Sequence, residues 1–212
     1  MSDHNPNSGS DQDWDDAGEL AWNEIDWEHY LRVQDEVIQR YLTVYDQQFD
    51  HQERIDETAR LMGWDRGDWS TDPADDPAGP YTLHQNPVFI ATRALFTGVR
   101  RDWEKLPASP AGFTAAVQAL LGRAETQALL AIQALDLGDY GLAVSLFKRA
   151  LRELNDTFSL VNHPGEADGA AALSPSVLLV RLFDLREIWL RVMNECRDEL
   201  ACPFEDDGDD EE

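Results

Sequence analysis

The chain has 212 residues, 42% of them hydrophobic, with 42 Asp and Glu against 17 Lys and Arg and a formal net charge of −25. That is apolar material enough for one packed core, while the acid excess repels nucleic-acid phosphates and anionic membrane and favours cations and basic proteins. The charge is uneven: residues 1–80 hold 21 acids and 5 arginines, residues 81–204 hold 14 acids and 12 bases, and the final EDDGDDEE adds seven acids.

The N-terminal MSDHNPNSGSDQDWDD lacks the basic start and apolar stretch of a secretory signal, so a cytoplasmic location is expected. Residues 1–16 and 204–212, acidic and poor in aliphatic side chains, are expected to be disordered, leaving 17–203 as one helical domain. The segment DWDDAGELAWNEIDWEHY, residues 13–30, alternates acids with Trp14, Trp22 and Trp27. Acidic-aromatic stretches suit grooves that are apolar with basic rims. Trp14 is the candidate docking anchor, whereas Trp22 and Trp27 are expected to fold back onto the body.

The first helix is expected over about 26–62, started by Asp26, with Ile25 and Tyr30 at the spacing of a hydrophobic staple. Unbroken, it would reach some 55 Å. Tyr30, Val33, Val37, Tyr41, Val44 and Tyr45 share one face, and the apolar content thins after Phe49. Asp46, Asp50, Glu53 and Glu57, spaced 4, 3 and 4 apart, form an acid ladder on one stripe of such a helix. Four neighbouring carboxylates repel one another unless hydration, a basic partner or a divalent cation compensates them. An Asp-, Pro- and Gly-rich loop follows at 63–85, long enough to cross the body or to act in its own right.

Asn86-Pro87, Ser109-Pro110 and Ser174-Pro175 each place a capping side chain before a proline suited to the first helical position. With Asp139 as a further start, helices are expected over 87–106, 110–137, 140–160 and 175–200. Gly122, inside the helix over 110–137, weakens it and suggests a bend. The last helix is apolar nearly all round its first half, which places it centrally. No strand-like alternation of useful length appears, and the expected fold is all-α, an antiparallel bundle of about five helices. Its most apolar window, Val177 to Leu182, is broken by Arg181 and is far shorter than the roughly 20 residues a membrane span needs.

Residues 124–155 resemble one tetratricopeptide-type helical hairpin. Gly138-Asp139-Tyr140 is similar to that family's interhelical turn, and Ala143, Phe147 and Ala150 match its small-large-small packing positions. Gln127 stands where a large aromatic is usual, Asn155 stands where proline usually closes the unit, and no second copy is visible, although stacked repeats need about three. The resemblance implies protein–protein interaction.

Chemistry-bearing motifs are sparse. A di-iron carboxylate bundle needs Glu-x-x-His on two helices, and the nearest relative is Asp26-Trp27-Glu28-His29, once only. His29 and His51 would lie roughly 33 Å apart along one helix. There is no nucleophile elbow and no phosphate cradle. Cys196 and Cys202 are spaced as neither a metal knuckle nor a redox pair, and Asp65, Asp68, Asp72, Asp75 and Asp76 lack the order of a calcium loop. The expectation is therefore a non-enzymatic interaction protein with no cofactor, whose acidic surface, through Asp46, Asp50, Glu53, Glu57 and Trp14, engages a basic protein, with self-association through the first helix. The rivals are a metal-binding or enzymatic bundle using the first helix's Asp, Glu and His, and an acidic mimic of nucleic acid.

Overall fold

A computed structural model describes residues 22–64, 83–106, 110–162 and 176–201. Among them the chain is all-helical: α1 (Glu24–Gln47), α2 (Arg54–Met62), a 3-10 turn (Leu83–Gln85), α3 (Pro87–Glu104), α4 (Ala111–Asp136), α5 (Tyr140–Asn162) and α6 (Ser176–Ala201). None of these helices is long and apolar enough to cross a membrane.

Local chemistry explains the boundaries. Asn23, not Asp26, caps α1: its Oδ1 accepts from the Ile25 and Asp26 backbone N–H groups, while Asp26 Oδ2 accepts from the Asn23 N–H at 3.1 Å. This reciprocal box satisfies donors that the first turn leaves open. Ile25 is 78% exposed and makes no staple. Asn86 caps α3 by accepting from the Phe89 N–H at 3.0 Å, with Pro87 at the first helical position as expected. Pro110 precedes α4 rather than opening it. Ser109, Ser174 and Pro175 lie outside the described residues.

The largest departure is in the first helix, which is two helices. α1 ends at Gln47, residues 48–53 form turns, and α2 starts at Arg54, giving six helices where about five were expected. Asp50 and His51 are weak helix formers whose side chains compete for the backbone, and His51 Nδ1 accepts from the Glu53 N–H at 3.2 Å. A continuous helix would also hold the four ladder carboxylates in mutual repulsion. The turn relieves that and folds Phe49 back onto Tyr45, ring centroids 6.3 Å apart.

The core lies between α1, α3, α6, α5 and α4. Trp189, Tyr41, Tyr45, Phe96 and Phe147 are its largest fully buried side chains. α6 packs against both α3 and α5, α1 packs against α3, and α4 makes its widest contact with α5. The α4–α5 turn is closed by Gly138 at φ 74°, where a side chain would be strained. The Gly138 N–H donates to the Leu135 carbonyl and the Asp139 N–H to that of Ala134, both at 2.9 Å, satisfying the carbonyls at the helix end. Asp139 Oδ1 then accepts from the Leu142 N–H and opens α5. α4 runs without a break through Gly122, from Ala111 to Asp136.

Candidate functional site

The densest polar chemistry sits where α1, α2, α3 and α6 meet. Arg181 on α6 has only 3% of its side chain exposed. Its Nε donates to Asp102 Oδ2 on α3 at 2.8 Å and its Nη2 to Asp46 Oδ1 on α1 at 2.7 Å. Its guanidinium carbon lies 5.2 Å from the Tyr45 ring centroid and 5.5 Å from that of Phe49. Nη1 has no hydrogen-bond partner. The two π faces supply part of the compensation that a buried cation needs. Gly98 on α3 makes the room: a Cβ there would meet Leu42 Cδ1 at 3.0 Å and Arg181 Cδ and Cζ at 3.1 Å.

Three groups join this centre from its rim. Arg101 pairs with Asp46 at 2.8 Å, and Lys105 with Asp102 at 3.0 Å. One turn further along α6, Asp184 receives Arg54 Nε at 2.6 Å and Nη2 at 2.8 Å from α2, together with the Tyr45 hydroxyl. Burial raises the Tyr45 pKa above the ordinary phenol value, and the bonded Asp184 carboxylate raises it further, against the opposing pull of Arg54. Tyr45 is therefore a neutral donor rather than a proton source near neutral pH. α2 is further tied to α6 by Arg191, which pairs with Asp56 and Glu187, and Trp64 stacks on Tyr41 with centroids 5.3 Å apart.

This arrangement binds helices to one another. Arg181 is closed to solvent, each carboxylate oxygen in contact with it faces a cation, and no nucleophile is paired with a base. The expected acid ladder is divided by it. Asp46 belongs to the buried network, with 30% of its side chain exposed. Glu57 pairs with Arg60 at 2.6 Å within α2, which holds its carboxyl below the usual range. Asp50 and Glu53 lie exposed in the α1–α2 turn, without an ion pair among the described residues. The four acids thus do not form one helical stripe, because the helix that would align them is broken between Gln47 and Arg54. Trp14 lies outside the described residues, as do the five aspartates of the loop, Cys202 and the acidic tail.

Trp22, Trp27 and Tyr30 meet as a cluster, with centroids 5.0 to 6.0 Å apart. Trp22 and Trp27 are half-buried and Tyr30 is buried. Among the described residues, no group of three or more His, Cys, Asp or Glu side chains converges to hold a metal ion. A mimic of nucleic acid calls for a regular carboxylate row, and the row read from the sequence is divided by the turn.

Sequence reasoning missed Arg181, Asp102 and Asp184. The available signal was the position of Arg181 and Asp184 inside the most apolar segment of the chain, where a charge must be paired. No family model matches the chain, and it matches no curated protein and no solved structure.

Proposed function

We propose that the chain is a non-enzymatic interaction module, an antiparallel helical bundle whose acidic surface engages a basic protein. The observation that carries this reading is the division of charge. Among the described residues, ten of the 16 basic side chains lie in ion pairs. Among the 22 acids of the described residues 13 have no such partner, and the exposed surface of residues 22–64 carries Glu24, Asp35, Glu36, Asp50 and Glu53. Cations neutralised in ion pairs and carboxylates left exposed without one make a surface that attracts basic chains and repels phosphates. Asp50 and Glu53 are the contact residues of the original ladder best placed for this, with Trp14 as a further apolar anchor.

The α4–α5 hairpin is read as a tetratricopeptide-type unit. In support, Ala143, Phe147 and Ala150 are all fully buried and the Gly138 turn closes tightly. Self-association through α1 draws support from Ile25 and Leu31, exposed by 78% and 47%. The test is affinity capture from native lysate at about 50 mM salt, followed by release at about 500 mM, where screening shortens to a few ångströms. A basic protein released by salt is the expected result. Absence of both a partner and self-association rejects the reading.

A further inference from the structure

A cleft of about 230 Å³ opens between α3 and α4, lined by Phe96, Val99, Arg100, Gln118, Leu121 and Gly122. Its floor is apolar: Phe96, Val99 and Leu121 are buried, while Gln118, Gly122 and Arg100 stand exposed around the mouth. An apolar cavity of about 150 Å³ holds a benzene ring, so this one accommodates a substituted ring or a short alkyl chain.

Two features give the cleft a chemical preference. Glu125, with 8% of its side chain exposed, is shared by two guanidiniums, Arg93 at 2.7 Å and Arg100 through Nη2, which leaves one positive charge in excess. Arg100 gives Glu125 only Nη2, and its side chain is 53% exposed beside the Phe96 ring. The second feature is Gly122. A glycine inside a helix is disfavoured relative to alanine, and here no close packing requires it, since an added Cβ would meet nothing within 4 Å. Gly122 lines the cleft, so the glycine leaves its mouth without a side chain at that position.

We infer that this cleft binds a small amphipathic carboxylate, its ring or chain against Phe96, Val99 and Leu121 and its carboxylate on Arg100. At about 0.15 M salt the field of the distant acidic residues is screened within about 8 Å, so the local cation decides. The site is independent of the protein-binding face on α1 and α2.

The test uses the full chain, with 4-phenylbutyrate and its uncharged amide as probes, followed by ligand-observed NMR. The acid is expected to bind with a Kd of about 1 mM or tighter, and the amide about tenfold more weakly. Gly122→Leu, built into open space, is expected to abolish binding of the acid with a melting temperature no lower than that of the wild type. Arg100→Gln, which leaves Arg93 on Glu125, is expected to weaken the acid to the level of the amide. Equal binding of acid and amide, no binding of the acid, or wild-type affinity in Gly122→Leu overturns the proposal.

Discussion

Arg181 shows at the scale of one residue how position sets the value of a charge. Removing one partner of a buried ion pair leaves the others desolvated without compensation, at a cost of roughly 3–5 kcal/mol. Arg101 and Lys105 remain on Asp46 and Asp102 at the rim, so Arg181→Leu is expected to lower stability by about 3 kcal/mol in urea titration. An unchanged midpoint would contradict the pairing. Two glycines make a matched test. Gly98→Ala drives a methyl into Leu42 and Arg181, and overpacking by about 1–3 kcal/mol outweighs the helix gain of about 1 kcal/mol. Gly122→Ala meets no neighbour and keeps only the gain. The first variant is expected to melt below the wild type and the second above it.

Asp102 adds a pH dependence. Burial alone pushes its carboxyl up, but hydrogen bonds and charge from Arg181 and Lys105 overcome this and hold it below the usual carboxylate range. A folded-state pKa below the unfolded one contributes stability that is complete above about pH 4 and lost as pH falls through the folded value. Asp102→Asn is therefore expected to be less stable than the wild type at pH 7, with the gap closing below about pH 4. A gap that stays constant down to pH 2 would refute this assignment.

Among the elements, α2 depends most on side-chain links. Asp184 joins it to α6 through the paired bonds from Arg54 and to α1 through Tyr45. Asp184→Asn keeps the shape but removes the charge that Arg54 faces. Amide hydrogen exchange in residues 54–62 is expected to speed up, with residues 111–162 unchanged. Uniform acceleration across all helices would show that α2 is not a separately held element. The sequence was most informative about elements and least about their breaks. Asn86-Pro87 and Gly138-Asp139 carry local chemistry that marks a boundary whatever surrounds it. The turn at 48–53 depends on partners more than 100 residues away, since Arg54 must reach Asp184, and a periodicity of carboxylates reads the same through a break as along a helix. The acid ladder failed as a stripe for that reason. Its member Asp46 lies within a turn of Tyr45 and Phe49, apolar neighbours that already placed this face toward the interior.

At the scale of the whole molecule two facts about charge meet: an acid excess concentrated near the ends of the sequence, and basic side chains neutralised by Asp46, Asp102, Glu125 and Asp184. With those cations neutralised by ion pairs, the exposed carboxylates that have none set the sign of the described surface. The apolar cleft at Arg100 is the local exception, where two guanidiniums share one carboxylate. The central claim is that exposed carboxylates, and not the buried ones, hold a basic partner. It is tested most directly by comparing the partner captured by the wild type with that captured by Asp50→Lys/Glu53→Lys, both shown by circular dichroism to be equally helical. The account predicts a basic protein on the wild type, released by salt, and a loss of about tenfold or more in the reversed variant. Equal capture by both, or capture that ignores salt, would contradict it.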